Sequence, residues 1–433
     1  MSIKYYSPMK KILVLFSCLL AFEGYGQTPV TIHLEDCYKL ARQQYPLIKQ
    51  QDLIEKTKDY SIQNAAKGYY PQISLNGQAT YQSDVTSVPF SLNIPKLGLD
   101  LSIPTPNKDQ YKVYGEVDQV IYDGGIIKYS KESDVANAAI QEQNLEVELY
   151  ALNDRVNQLF FGTMLLNEQI KQNEIVQKDI QNSIDKMLEG VKNGTATTTS
   201  VDELQAELLQ QQQNKIQFLE SHKAYLSMLG LLTNQQLDEN TILVSGEAIH
   251  YPDSIKRPEL LFYDEQKRGY DVQEKMLAAS NKPKFSFFFQ GGYGRPGLNA
   301  FDNNFAAYYI GGFRFAWTLG GYYTLNNQRQ ILDIDKQTSQ IQKETFLLNT
   351  RLLLKQQSSE MEKLSQMITM DNDIIAKRTR IKEAVKAQME NGMVTTYEYI
   401  AALDAEDQAK QNQLLHHVQL LLAEFTFQNT HGN

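Results

Sequence analysis

Four short segments of the chain alternate between apolar and polar residues, the pattern of a β-strand with one apolar and one hydrated face. They lie at residues 71–82, 111–121, 283–294 and 305–318, and the first reads PQISLNGQATYQ. They are 11 to 14 residues long, which is enough to cross a bilayer core when the strand is tilted. We therefore predict four amphipathic strands that are long enough to span a membrane.

The two faces of these strands carry different kinds of residue. Aromatic residues crowd the apolar face, which we predict to contact lipid through Phe285, Phe287, Phe313, Phe315 and Trp317. Charged residues stand on the other face, which we predict to line a water-filled interior with Lys112, Glu116, Asp118 and Arg314. An ordinary soluble sheet packed on helices would explain any single strand. Aromatic crowding opposite charges favours lipid outside and water inside.

The rest of the sequence is helical in pattern, and the same order of elements occurs twice. Pro46 and Pro71 have the same spacing as Pro258 and Pro283. Each pair encloses an amphipathic helix and is followed by a strand, a loop, a second strand ending in Gly-Gly and a long helical stretch. We predict three segments in the exported chain: a first repeat at residues 27–231, a connecting segment at 232–256 and a second repeat at 257–433.

The long helical stretches contain no proline from about residue 126 to 191 and from about 322 to 389. At a rise of 1.5 Å per residue, each would form a rod of about 100 Å. Their apolar residues follow coiled-coil spacing in places, which an intramolecular hairpin explains equally well. Each rod ends on Asn-Gly, typical of a helix C-terminus, before a Thr-rich turn and a shorter return helix. We predict two helix-tip turns, at Asn193, Gly194 and Thr195 and at Asn391, Gly392 and Met393.

The N-terminus, residues 1–26, has the features of a secretory signal peptide: lysines, the apolar run ILVLFSCLLAF and small residues before Gln27. Met9 is an alternative start, because MKKILVLF is the better signal opening. Acylation at Cys18 is an alternative interpretation, but Phe16 and the apolar residues after Cys18 argue against it. No second apolar run approaches the roughly 18–20 residues of a membrane-spanning helix. We predict an exported chain that enters a bilayer, if at all, by its strands.

Composition and motifs argue against nucleic-acid binding and against catalysis. The chain has 42 basic and 51 acidic residues, a net charge of −9, and no basic block. Of its two cysteines one lies in the signal, and Cys37 is interpreted as a small packing residue. The GxGxxG match at residues 292–297 is not followed by a βαβ unit, and adjacent His416 and His417 lie on different helix faces. We predict a protein that is not an enzyme and has no metal site or cofactor.

The number of strands bears on assembly, because four strands cannot close a membrane barrel, which needs about eight. An open sheet edge in lipid would leave unpaired backbone groups that cost several kcal/mol each. If the strands cross a membrane, more than one chain must contribute to the barrel. Three chains would supply twelve strands, although the pattern alone leaves the number open.

Four motifs in order resemble the TolC-like outer membrane efflux protein family, over nearly the whole exported chain. They are the opening helix LEDCYKLARQQYPLIKQQ, the first strand GYYPQISLNGQ, the strand-to-helix junction QVIYDGG and the helix tip NGMVTTYEYIAALDAEDQAKQ. The resemblance implies an α+β membrane protein: a trimeric outer-membrane β-barrel with four strands per chain, continuous with a long periplasmic α-helical barrel. It also implies that a periplasmic adaptor protein and an inner-membrane pump are the partners of the homotrimer.

The resemblance further implies a role for acidic residues near the second helix tip, which ring the tunnel entrance in that family and help to gate it. Glu398 is the best match by its distance from the tip glycine Gly392, and Asp404 is the weaker match. The first tip departs from the pattern with Ser200 at the corresponding distance. The loop 83–110 is a second departure, because it is long and rich in proline, and we expect it to fold over the outer mouth.

The predicted function is the outer membrane channel of a tripartite efflux pump or a type I secretion system, a passive trimeric duct for small molecules or proteins. A periplasmic coiled-coil adaptor or scaffold protein is the alternative, but it would normally carry a single hairpin between β-domains. A secreted hydrolase on a helical scaffold is disfavoured, since nucleophile and metal motifs are missing. The sequence names neither the exported substrate nor the pump.

Overall fold

The computed structural model describes residues 31–87, 92–94, 99–101, 105–246 and 254–432, so that the predicted signal peptide lies outside them. Its strands are β1 (Thr31–His33), β2 (Gln72–Tyr81), β3 (Leu92–Ile94), β4 (Leu99–Leu101), β5 (Asp109–Tyr122), β6 (Ile242–Val244), β7 (Lys284–Arg295) and β8 (Ala306–Ala316). Its helices are α1 (Leu34–Gln44), α2 (Gln50–Ala66), α3 (Ile126–Tyr150), α4 (Leu152–Lys192), α5 (Thr198–Thr233), α6 (Pro258–Ser280), α7 (Tyr322–Glu390) and α8 (Thr396–His431). The four predicted strands are confirmed as β2, β5, β7 and β8.

The chain folds into two units. The sheet unit comprises Pro46–Ala151, Pro252–Leu354 and Thr430–Asn433, and the helical unit comprises the chain up to Tyr45, Leu152–Tyr251 and Lys355–Asn429. Each predicted repeat contributes to both units, and the repeat boundaries stay a prediction.

The two predicted rods differ in the structure. The second is one continuous helix, α7, of 69 residues. The first is interrupted between α3 and α4 at Ala151, whose amide reaches the Val147 carbonyl at 3.3 Å. The prediction of an uninterrupted first rod is therefore wrong at this one residue. No helix among the described residues combines the length and the apolar composition needed to cross a membrane.

The sheet unit contains one antiparallel sheet in the strand order β2-β5-β7-β8. Odd-numbered residues of each strand pair with odd-numbered residues of the next, as in Val113 with Tyr293 and Phe285 with Phe315. Because alternate residues share a face, all four apolar faces lie on one side of the sheet. The predicted grouping of the aromatic residues is confirmed.

A register shift in β5 between Val120 and Tyr122 corrects one detail of this face. The alternation predicts that Ile121 continues the apolar row, but Tyr122 is the residue that pairs with Phe285, with ring centroids 6.4 Å apart. An extra residue at such a bulge changes which side chains point to each face. The aromatic face therefore includes Tyr122 at this end.

The helices of the sheet unit pack side by side in a row. Helix α2 packs on α3, and α3 packs on α6. The part of α7 in this unit packs on α6, where Lys336 bonds Asp271 and Glu274 at 2.7 and 2.9 Å and Lys343 bonds Asp264 at 2.6 Å. Helices α2 and α7 are thus the outer members of this helical row, as β2 and β8 are the outer strands of the sheet. Within the loop 83–110, β3 and β4 pair as a short hairpin, and its predicted place over an outer mouth stays a prediction.

The helical unit has two apolar cores. The first joins α1, α4, α5 and α8 through residues that include Cys37, Phe160, Phe161, Leu229 and Phe425. Burial, with a smaller contribution from Asp36, raises the pKa of the Cys37 thiol to about 12. The interpretation of Cys37 as a packing residue is confirmed. The second core lies under the two helix-tip turns and includes Ile180, Ile184, Leu204, Tyr399 and Leu403.

Candidate functional site

The first helix-tip turn, residues 193–197 of the helical unit, joins α4 to α5. Gly194 has a φ of +73°, and the Thr195 amide donates to the Gly190 carbonyl at 2.8 Å. This is the hydrogen bond of a Schellman helix end, which needs a residue with positive φ. Thr197 caps α5 by accepting a bond from the Ser200 amide at 3.2 Å. The turn exposes polar and small residues, among them Asn193.

The second helix-tip turn, residues 391–395, has the same backbone but different exposed chemistry. Gly392 has a φ of +70°, and the Met393 amide donates to the Gln388 carbonyl at 2.9 Å. Met393 of this turn, which also includes Asn391, and Tyr397 at the start of α8 are 72% and 73% exposed. This tip therefore presents two large side chains. The prediction that both Asn-Gly pairs end helices is confirmed.

Glu398 belongs to a capping box at the start of α8. Its carboxylate accepts bonds from the amide and the hydroxyl of Thr395 at 2.7 and 3.0 Å, while the Thr395 hydroxyl accepts from the Glu398 amide at 3.3 Å. These bonds from the backbone and side chain of Thr395 lower the pKa of Glu398. The carboxylate is exposed and satisfies the helix N-terminus, a local role that its residue type and spacing also predict.

Asp404 lies in a different environment, six residues further along α8. Partial desolvation, then repulsion by Glu207 of α5 and Asp407 of α8, raises the pKa of Asp404 to about 6. Desolvation also raises the pKa of Asp407, although Gln172 donates a bond to it at 3.0 Å. The structure thus gives the two predicted entrance residues separate partners: Glu398 is bound in a cap, and Asp404 belongs to an acidic group with Glu207 and Asp407.

A buried ion network connects α4, α7 and α8 in the same unit. The Lys382 and Glu406 side chains are 5% and 3% exposed and bond at 2.9 Å. Lys382 also bonds Asp179 at 3.0 Å, and Glu406 accepts from Lys410 at 3.1 Å and from Thr379 at 2.6 Å. Although burial opposes both charges, these bonds raise the pKa of Lys382 and lower that of Glu406. Sequence reasoning missed this network, because its members are far apart in the chain.

The charged residues predicted on one face of the sheet are brought together in the sheet unit. Arg314 donates to Asp118 at 2.6 Å and to Glu116 at 3.1 Å, across two strands. Lys112 lies on the same face and pairs in register with Gly294. The polar face therefore carries a bridged cluster of two carboxylates and one guanidinium.

The aromatic residues predicted on the opposite face form a continuous surface. Phe285 and Phe315 have ring centroids 5.1 Å apart, and Phe287 and Phe313 have theirs 5.7 Å apart. Trp317 follows the end of β8, and its indole nitrogen donates to the Asn281 carbonyl at 3.0 Å. It is held at the junction of strand and helix.

Asp123 is a structural residue that sequence reasoning did not single out. Its carboxylate accepts from the Gly125 and Ile127 amides at 2.8 and 2.5 Å and so caps α3. Gly124 has a φ of +78°, and a Cβ there would come within 2.7 Å of the Ala279 carbonyl. The Asp-Gly-Gly run in the motif QVIYDGG is the signal that would have identified this strand-to-helix junction. Among the described residues no group of three or more His, Cys, Asp and Glu could hold a metal ion.

Residues 37–234 match the model of the family described as outer membrane efflux protein. This match confirms the resemblance for the motifs in the first half of the chain, and the helix-tip motif at residues 391–411 lies outside it. No protein of curated function matches the chain at a significant level.

Solved structures of three outer membrane proteins are similar to the whole chain. The first is CusC, whose structures are described as following folding and transmembrane channel formation. It has 13% identity and a TM-score of 0.68, with 95% of this chain and 96% of its own covered. VceC of Vibrio cholerae has 13% identity and a TM-score of 0.65, with 92% of this chain and 96% of its own covered. The open-state channel MtrE of Neisseria gonorrhoeae has 10% identity and a TM-score of 0.65, with 92% and 89% covered. At these identities the similarity establishes the shared fold.

Proposed function

We propose that this chain forms the outer membrane channel of a tripartite efflux pump or a type I secretion system, a passive duct for small molecules or proteins. The observation that carries the proposal is the sheet with an exposed aromatic face and a charged opposite face. Leu75 and Phe313 on the first face are 81% and 79% exposed. A contiguous apolar surface of this kind is unfavourable in water and favourable against lipid.

The edges of the sheet support an assembly of several copies. β2 and β8 are its outer strands, each with one partner in this sheet. In lipid, their outward backbone groups need partners from another chain. If β2 of one copy pairs with β8 of the next, three copies supply a closed barrel of twelve strands. Such head-to-tail contacts close into a ring and leave no edge.

The outer helices of the sheet unit support the same arrangement. Helix α7 exposes apolar residues spaced by seven, Ile334, Ile341 and Leu348, which is coiled-coil spacing. This stripe lies away from Lys336 and Lys343, the residues that bond α6. On the other flank, α2 exposes Leu53 and Tyr60. Each flank therefore offers apolar contacts to the same neighbouring copy that would continue the sheet.

The helix-tip turns are the proposed docking surface for a periplasmic adaptor protein, through which an inner-membrane pump would connect. The second tip offers Met393 and Tyr397 as anchors, and the first offers polar contacts at Asn193 and Thr195. Glu398 and Asp404 are the proposed residues of the tunnel entrance. In a closed ring of copies, their carboxylates would favour cations and repel anions.

Membrane fractionation with crosslinking of the full chain tests the proposal. We expect outer-membrane recovery, a crosslinked trimer and ion conductance in planar bilayers. A soluble monomer in the periplasm would overturn the channel and favour a periplasmic adaptor or scaffold, which the helical hairpins alone would also suit.

A further inference from the structure

The polar face of the sheet carries three aromatic residues among its charged ones: Tyr114, Phe288 and Tyr308. Gly292 of β7 pairs in register with Tyr114 on one side and Tyr308 on the other. A Cβ at Gly292 would come within 2.6 Å of the Tyr114 Cβ, so that only glycine fits there. The two tyrosines therefore stand on either side of a position that carries no side chain.

Charges lie along the strands beside this position. Glu116 pairs with Gln290 and Asp118 pairs with Phe288, which are the next positions of β7 on the same face. The Arg314 guanidinium bonds both carboxylates and lies 4.9 Å from the centre of the Phe288 ring. Two carboxylates and one guanidinium leave one net negative charge beside the aromatic side chains.

The other charged residues of this face are Lys112 and Lys284. Lys112 pairs with Gly294, the position of β7 next to Gly292 on this face, so Lys112 and Glu116 lie on the two sides of Tyr114 along β5. Lys284 pairs with Ala316, beyond Arg314. Among the described residues, neither lysine forms an ion pair with Glu116 or Asp118.

We propose that this surface, composed of Tyr114, Tyr308, Phe288, Glu116 and Asp118, is a binding subsite for planar aromatic cations. The inference rests on the proposed channel, since that function turns this face toward the interior. A planar ring can stack on the tyrosines over Gly292, and its charge is attracted by their π-faces and by the carboxylate oxygens that Arg314 leaves free. A neutral aromatic keeps only the stacking, and an aromatic anion gains no attraction from the carboxylates. The wall of the duct then retains one class of solute during passage.

Ethidium is a suitable probe, because it is planar, aromatic and cationic, and binding can be followed by its fluorescence. The full chain, purified as the assembled protein in detergent, is titrated beside Tyr308→Ser and Tyr309→Ser. Neighbouring residues in β8 point to opposite faces, so Tyr309→Ser is the matched control. We expect Tyr308→Ser to weaken ethidium binding at least fivefold and Tyr309→Ser to change it less than twofold.

Glu116→Gln tests the electrostatic contribution to ethidium binding. It should weaken ethidium binding two- to fivefold and reduce its dependence on salt, because an attractive charge is removed. Tetraethylammonium, a cation without an aromatic ring, should compete poorly with ethidium for the wild-type protein.

Conductance of the same preparations in planar bilayers separates the two proposals. Conducting Tyr308→Ser channels that bind ethidium as tightly as the wild type would overturn the subsite and leave the channel standing. A wild-type protein that never conducts, yet binds ethidium in a Tyr308-dependent way, would overturn the channel alone. If Tyr308→Ser does not assemble, unchanged ethidium affinity in Glu116→Gln overturns the subsite.

Discussion

The sheet unit and the helical unit distribute apolar and charged residues in opposite ways. In the sheet unit, aromatic side chains such as Phe313 are exposed on one face, and the Arg314 cluster is exposed on the other. In the helical unit, Phe160, Phe161 and Ile180 are fully buried, and so is the ion pair of Lys382 with Glu406. The helical unit has an apolar interior. The sheet unit has one apolar and one charged face, and the proposed channel would turn these faces to lipid and to water.

Removal of the buried cation should have the largest effect. Lys382→Ala leaves Glu406 and Asp179 without their shared partner, and we expect the free energy of unfolding to fall by about 3–5 kcal/mol. Urea denaturation followed by circular dichroism measures this change. Lys377→Ala, an exposed site on the same helix, is the control and should cost less than about 0.5 kcal/mol. Similar losses for both variants would show that the network adds nothing to stability.

A charge on the aromatic face should have the next largest effect. Phe315→Asp places a carboxylate against lipid in the proposed channel, at a cost below the about 2–4 kcal/mol of a lysine or arginine at the bilayer midplane. Ala316→Asp puts the same charge on the opposite face of the sheet. Trimer yield in outer-membrane fractions should fall at least tenfold more for the first variant. Equal yields would contradict the assignment of the two faces and remove the contrast with the helical unit.

A substitution of Asp404 tests how an acidic group in the helical unit changes stability with pH. Because its folded pKa of about 6 lies above the ordinary value of 3.8, the unfolded chain loses this proton first as pH rises. Its contribution to stability therefore falls between about pH 4 and pH 6 and is constant above. Asp404→Asn should remove this slope and raise the free energy of unfolding at pH 7 by up to about 1 kcal/mol, after allowance for solvent screening. Asp202→Asn, at an exposed site on α5, is the control and should leave the slope in place. An unchanged slope in Asp404→Asn would show that Asp404 does not cause the loss of stability between these pH values.

Glu398→Gln should have the smallest effect on stability, since glutamine can also complete a capping box. In planar bilayers we expect a higher single-channel conductance or a lower preference for cations. Ser200→Ala, at the same position after the first tip, should leave both unchanged. If Glu398→Gln behaves like Ser200→Ala, Glu398 serves only as a cap and the helical unit has no charged entrance at this residue.

The sequence predicted the features that depend on local periodicity. The strands, their two faces and the Asn-Gly helix ends follow from residues close together in the chain, such as those of β2 or the turn at Gly392. Features set by distant partners were not predictable: the register shift at Tyr122 depends on pairing with β7, and Lys382 finds Asp179 on another helix. The sequence around the interruption at Ala151 contains no proline or glycine that would predict it. Glu398 was found by its distance from Gly392, and its capping box with Thr395 also follows from the Thr-x-x-Glu spacing.

The burial of Cys37 gives the chain a built-in reporter of unfolding. With a thiol pKa of about 12, roughly one side chain in 100,000 is a thiolate at pH 7, and thiolate is the form that reacts with alkylating reagents. A cysteine introduced at an exposed tip residue such as Thr195 would thus be labelled while Cys37 stays unmodified. The rate at which Cys37 is later alkylated would then measure how fast the core around Phe160 and Phe161 opens in the same sample.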